Sequence, residues 1–368
     1  MGLPTLTFTL KRAAAAVSSR IANGAVALIL RDSKANGVHT VCRESDIPAT
    51  LGAENIAYIK RALIGHINAP SAVYVSVVGT SGTIAAGFSA LAAYTYDYIA
   101  GPPDMTAADA TALAGLVKGQ RRLRYIGKAV LPETAADDEG VINFVSGGIA
   151  AGGSSPYSAA AYCSRIAGML AGTPAECSAT YAKLPEVTAV TATENPDTAV
   201  EAGKLFLIDD GRVRKLSRAV TSKTTLGENE PPALKKIKMT AAIDLIRYYA
   251  VTSIEDDYCG KCANTYDDKC VLLLGLREYL KSLEGAKVLR DGSSGAELDA
   301  EATRSYLIGR ATSAGDSAEA ARLRALDDAQ IIKEDTGSKV LVKLYGYIMD
   351  AMEDFSITFE VASGVVTT

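Results

Sequence analysis

The sequence predicts an α/β domain on a mostly parallel sheet, then a smaller α+β unit, with an amphipathic strand near each end of the chain. Three observations carry this. Short apolar runs alternate with helical spacings up to about residue 200, and strands separated by helices in that rhythm imply a parallel sheet. A polar loop, residues 221–232, ends in Pro231-Pro232 and reads as a domain boundary. Beyond it come helical spacings and then two late strands.

The elements follow in order. Leu6, Phe8 and Leu10 alternate with Thr5, Thr7, Thr9 and Lys11, the period of a strand with one buried face. The run Ala25 to Leu30 reads as a buried strand, and residues 53–66 carry helical spacing through Ile56, Ile59, Ala62 and Leu63. Val73 to Val78 is a second buried strand, turned by residues 79–82 into an Ala-rich helix. Tyr98-Ile99 precedes a Gly-Pro-Pro turn. Thr106, three residues before Asp109, gives a helix through Val117 a capping-box start. Lys128 to Leu131 and Ile142 to Val145 are short strands. Residues 158–171 form an apolar helix stopped by Gly172 and Pro174. Leu205 to Ile208 and Val213 to Val220, around Asp209-Asp210-Gly211, read as a hairpin. A helix spans Val271 to Leu283, a polar segment covers 291–335, and Val340 to Met349 is a strand. Finally Phe355, Ile357, Phe359 and Val361 alternate with Ser356, Thr358 and Glu360.

Composition narrows the function. Hydrophobic residues at 48% and charged residues at 22% allow a sizeable core without disulfides or metals. A net charge of −4 argues against a general nucleic-acid binder. The basic clusters at Arg121-Arg122-Leu123-Arg124 and Lys235-Lys236-Ile237-Lys238 therefore read as solvated faces or protein contacts. No segment approaches the ~20 apolar residues of a membrane span. The opening Met1-Gly2-Leu3-Pro4-Thr5 shows no secretion signal, and Leu6 stands where myristoylation prefers Ser or Thr. Six cysteines without scaffold spacing fit a reducing cytoplasm.

Chemical sites are sparse. Cys259-Gly260-Lys261-Cys262 with Cys270 falls short of the about four ligands of a closed zinc site, and His39 and His66 show no ligand spacing to it. Glu255-Asp256-Asp257 and Asp267-Asp268 lack the alternating ligands of a calcium loop, and residues 146–155 lack the Lys of a phosphate loop. Asp32, His66 and Ser81 stand in the order of a subtilase triad, an alternative reading as an α/β hydrolase. They crowd within fifty positions, a spacing that argues against one site. The expectation is no catalytic, metal or cofactor site. The two terminal strands remain, and these either complete the chain's own sheet or are given to a neighbour's sheet edge.

Several stretches then combine: Gly2-Leu3-Pro4, Ala53-Glu54-Asn55, SRIAGMLAGTP (Ser164 to Pro174), TYAKL (Thr180 to Leu184), GKLFLIDDGRVRKLSRAVTSKTTL (Gly203 to Leu226), DDYCGKCANTYDDKC (Asp256 to Cys270), TGSKV (Thr336 to Val340) and DAMED (Asp350 to Asp354). In these, nearly end to end, the chain resembles the phage tail sheath family in its short form without a β-sandwich domain. It looks most like sheaths of diffocin-type particles and clostridial phages.

The resemblance implies an N-terminal arm at 1–20, a subtilisin-like α/β domain at 21–232, a C-terminal sheath domain at 233–354 and a C-terminal arm at 355–368. It implies that the arms, through Leu6, Phe8, Leu10, Phe355, Ile357 and Phe359, complete a β-sheet of adjacent subunits that includes Val340 and Val342. The implied assembly is a homo-oligomer, a helical stack of hexameric rings around an inner tail tube protein, with baseplate and tail terminator proteins as further partners. Nucleic acid and direct membrane insertion are not expected. The implied place is the tail of a virion or phage-tail-like particle, assembled in the bacterial cytoplasm. Lys235, Lys236 and Lys238 are the candidates for facing the tube.

Overall fold

Strand β1 (Val26–Arg31) shows how the main sheet is built. Val26, Leu28 and Leu30 point into one apolar cluster and Ala27 and Ile29 into another, so the strand is buried on both faces. That is why it reads as an unbroken apolar run. The computed structural model describes residues 23–359 apart from 124–125, 153–154 and 229, with only the backbone of 122–123.

Around β1 lie β2 (Gly37–Val41), β3 (Val73–Val78), β4 (Tyr98–Ala100), β5 (Lys128–Pro132), β6 (Val141–Phe144) and β7 (Lys204–Leu205). Their order is β2-β3-β1-β4-β5-β6-β7, parallel throughout except for β2, which pairs antiparallel with β3. The helices α1 (Ala53–Leu63), α2 (Ile84–Ala90), α3 (Ala107–Leu123) and α4 (Ala159–Ala171) divide between the two faces. Tyr58, Ile59 and Ala62 of α1 and Ile166, Ala167 and Leu170 of α4 join one cluster; Ile84 of α2 and Leu113 and Val117 of α3 join the other. Every residue of α4 is buried. A Cβ on Gly168 would stand 2.0 Å from the Ala62 carbonyl oxygen, so glycine there allows the close approach of α4 to α1. A short helix, α5 (Pro196–Glu201), leads into β7, and β8 (Leu207–Asp209) pairs antiparallel with β9 (Arg214–Leu216). The hairpin expected from Leu205 thus starts later, with Leu205 itself bonded parallel in the large sheet.

The second unit starts with α6 (Ile237–Ser253), continued by one π turn (Ile254–Tyr258), and α7 (Tyr266–Gly285). Tyr249 and Tyr279 stack between them at 3.6 Å, and the Tyr279 hydroxyl donates to the Leu245 carbonyl at 3.0 Å. β10 (Gly295–Leu298) pairs antiparallel with β11 (Val342–Tyr345) against this helix pair. Between them the polar segment is mostly helical. It folds as α8 (Ala300–Ser313), α9 (Ser317–Ala325) and α10 (Asp328–Ile331), around Leu307, Leu323 and Ile331. Each has an aspartate N-cap, Asp299, Asp316 and Asp327, whose side chain accepts a backbone N–H.

One charged cluster joins the units. Asp244 of α6 accepts both Arg121 guanidinium nitrogens, at 2.8 and 3.0 Å, and the Lys128 ammonium at 2.7 Å. All three side chains are buried. The sequence places Arg121 on a solvated face or a protein contact. It is instead an internal ion pair, because the carboxylate that neutralises it lies far along the chain on α6.

Candidate assembly surface

From Leu341 to Met349 the chain is laced along residues 288–299. Asp299 N–H donates to the Leu341 carbonyl at 3.0 Å, Arg290 N–H to the Tyr347 carbonyl at 2.8 Å, and Met349 N–H to the Val288 carbonyl at 2.9 Å. Val342 and Leu344 turn inward to the helix pair, whereas Lys343 and Tyr345 face out. The expected strand over Val340 to Met349 is shorter, with Val340 outside it and exposed.

After Met349 this lacing stops. Residues 350–359 make no backbone–backbone hydrogen bond with other described residues, and residues 351–359 form no regular element. The side chains there are apolar and turned to solvent: Met352 is 87% exposed, Phe355 72%, Ile357 87% and Phe359 85%. So large a run of exposed apolar side chains, on backbone unpaired with other described residues, is a candidate interaction site. The expected strand of Phe355, Ile357 and Phe359 is therefore not paired with any other described residue. Its continuation, and Leu6, Phe8 and Leu10, lie outside the described residues.

Between these exposed residues one side chain is held. The Glu353 carboxylate is 6% exposed and accepts from the Thr180 hydroxyl at 2.6 Å, the Ser178 hydroxyl at 2.9 Å and the Lys236 ammonium at 3.1 Å. Arg218 adds an ion pair at 3.8 Å and bonds Asp354, while Lys236 also donates to Asp350 at 2.5 Å. Burial works to raise the Glu353 carboxyl, but the bonds from Thr180, Lys236 and Ser178 outweigh it and hold it below the usual carboxylate range. Burial likewise works against charge on Lys236, and its two carboxylates overcome it.

The other singled-out residues are dispersed. Lys236 is engaged as above. Lys238 is buried with its ammonium on the Met349 carbonyl, and burial pulls its pKa down. Lys235 is partly exposed. Cys259, Cys262 and Cys270 are free and exposed, and among the described residues no three His, Cys, Asp or Glu gather for a metal.

Asp32, His66 and Ser81 are not brought together. Arg31 pairs with Val78 across parallel strands, so Asp32 and Ser81 both follow the carboxyl ends of the sheet. His66 precedes β3 at the amino end, about 20 Å away along a six-residue strand. Two of them have other work: the Asp32 carboxylate accepts from Gly52 N–H at 2.8 Å and Asn55 at 2.9 Å, and His66 Nδ1 lies 2.9 Å from the Thr173 hydroxyl. A triad cannot form from them. No described helix is long and apolar enough to cross a membrane.

No protein-family model matches the chain. A tail sheath protein of Clostridium phage phiCD119 is 29% identical over 364 residues, covering 97% of this chain and 98% of that protein. Among solved structures, a sheath tail protein from Listeria innocua superposes with TM-score 0.66 at 13% identity, over 92% of this chain and 98% of that one. The helical sheath of the anti-feeding prophage in its contracted state does so with TM-score 0.63 at 12% identity, over 91% and 93%. The mixed α/β fold with its parallel-rich sheet is thus shared with sheath proteins, and the resemblance to tail sheath proteins read from the sequence is borne out.

Proposed function

We propose that this chain is a structural subunit of a contractile tail sheath, polymerising around an inner tube and shortening to drive that tube through a target envelope. The observation that carries this reading is the match to a tail sheath protein over 97% of the chain. The exposed apolar run from Met352 to Phe359 supplies its physical means.

The segment 355–368, with Phe355, Ile357 and Phe359, is donated to a neighbouring subunit, as is the arm of residues 1–20 with Leu6, Phe8 and Leu10. The receiving sheet includes Val342, the first residue of β11, and Val340 just before it. Each backbone hydrogen bond contributes about 0.5–1.5 kcal/mol net, so a strand of about five residues supplies several kcal/mol per junction. A head-to-tail contact that does not close gives an open helical lattice, here a stack of hexameric rings. Residues 21–232 form a subtilisin-like body and 233–354 the C-terminal sheath domain. Lys235 is the cation left to face the tube, since Lys236 and Lys238 are engaged inside the chain. Baseplate and terminator proteins bound the polymer at its ends, in a particle tail assembled in the bacterial cytoplasm.

Electron microscopy of the purified protein tests the reading. Tubes with a cogwheel cross-section are expected; a monodisperse monomer at every concentration and salt condition would sink it.

A further inference from the structure

We propose that Glu353 is a positioning residue that fixes the direction in which the C-terminal segment leaves the body, so that this segment is presented for pairing rather than searching for it. The inference rests on the strand-donation reading above and adds a device to it.

Contrast along the chain is the first argument. Met352, Phe355, Ile357 and Phe359 are exposed, yet Glu353 among them is nearly enclosed. An extended chain held by one residue alone has little reason to bury a carboxylate, which is costly unless it is fully bonded. Here it is fully bonded, to Thr180, Ser178 and Lys236, with Arg218 adding charge. The second argument is where those partners come from. Ser178 and Thr180 follow α4, Arg218 follows β9, and Lys236 precedes α6. None belongs to the β10–β11 sheet from which the segment has just emerged. The segment is therefore fastened to the α/β body and its junction, and its heading follows that body. Asp350 on Lys236 and Asp354 on Arg218 brace the same point from either side. Thr180 is itself fixed, its hydroxyl accepting from Ala219 N–H at 3.0 Å. The third argument is entropic. Each backbone residue ordered in advance is one fewer to order on association, and freeing one raises the concentration needed for assembly about tenfold.

The experiment compares the wild-type chain with Glu353→Ala, Glu353→Gln and a chain ending at Asp354. In the monomer, chymotryptic cleavage after Phe355 is followed by mass spectrometry; in assembly, the critical concentration for tube formation is measured by sedimentation. Glu353→Ala is expected to speed the cleavage severalfold and raise the critical concentration about tenfold, with Glu353→Gln between, since it keeps an acceptor for the hydroxyls but loses the charge. Wild-type values for both variants, with the shortened chain unable to assemble, would overturn the role of Glu353 and leave strand donation standing. Normal tubes from the shortened chain would overturn strand donation by this segment, and the proposal with it. If Glu353→Ala unfolds, Glu353→Gln carries the same comparison.

Discussion

Asp244→Ala removes the carboxylate that, among the described residues, Arg121 and Lys128 share. Arg121 keeps Glu139 at 3.7 Å and the Ile126 carbonyl at 3.0 Å, and Lys128 keeps that carbonyl at 3.5 Å and the Tyr98 ring at 5.2 Å. Two buried cations are then left facing each other without the charge that neutralised them. Breaking a buried pair in this way costs about 3–5 kcal/mol. With an unfolding entropy of about 2.1 cal/mol/K per residue, 4 kcal/mol in a chain of this length lowers Tm by about 5 °C. Lys128→Met, by contrast, removes one of two cations and leaves the bidentate Arg121–Asp244 pair. It is expected to cost under about 1.5 kcal/mol. The double variant should fall short of the sum of the singles by about 1 kcal/mol or more, because the Asp244 change no longer strands Lys128. The assay is calorimetric unfolding below the assembly concentration. A Tm within about 1 °C of wild type for Asp244→Ala, or strict additivity in the double variant, would refute the reasoning.

Three further outcomes are expected. Tm should fall steeply below about pH 4. The Asp137 carboxyl is held well below its ordinary value by the Thr225 and Thr224 backbone N–H groups, and Asp32 is lowered by Gly52. Depressed folded-state values give stability that is present above the unfolded pKa and lost as pH falls through the folded one; Asp137→Asn should shallow that decline, and an unchanged acid limb would count against it. Thiol titration should find Cys42, Cys259, Cys262 and Cys270 reacting first and Cys163 only on unfolding, since burial pushes its thiol far up; early modification of Cys163 would contradict its position. Gly168→Ala should destabilise by about 3 kcal/mol or more, as its Cβ meets backbone at 2.0 Å, and a neutral effect in chemical denaturation would show that α1 and α4 can part.

Legibility in the sequence followed the range of the interaction. Val73 to Val78 is a strand over those same residues, because Val73, Val75 and Val77 are buried on one face and leave a strongly apolar pattern. The Thr106–Asp109 box forms in both directions: Asp109 N–H donates to the Thr106 hydroxyl and Thr106 N–H to the Asp109 carboxylate. β2 is faint in the sequence because an edge strand carrying His39 and Thr40 has one covered side and little apolar signal. The helices between 300 and 331 bury few residues, so their periodicity is faint, although Asp299, Asp316 and Asp327 marked each start. Arg121 with Asp244, and Glu353 with Ser178 and Thr180, join residues more than 100 positions apart. Contacts of that kind leave no local pattern to read. The alternation of Phe355, Ile357 and Phe359 was visible, but whether its partner is the same molecule is a question of geometry, not period.

The position of the exposed run along the polypeptide sets an order of events. Met352 to Phe359 is translated after both the large sheet and the helix pair, so a ribosome releases it last of these parts. Each nascent copy can bury its own interior before its adhesive stretch exists. Pairing through this stretch between half-made copies is thereby held off by timing.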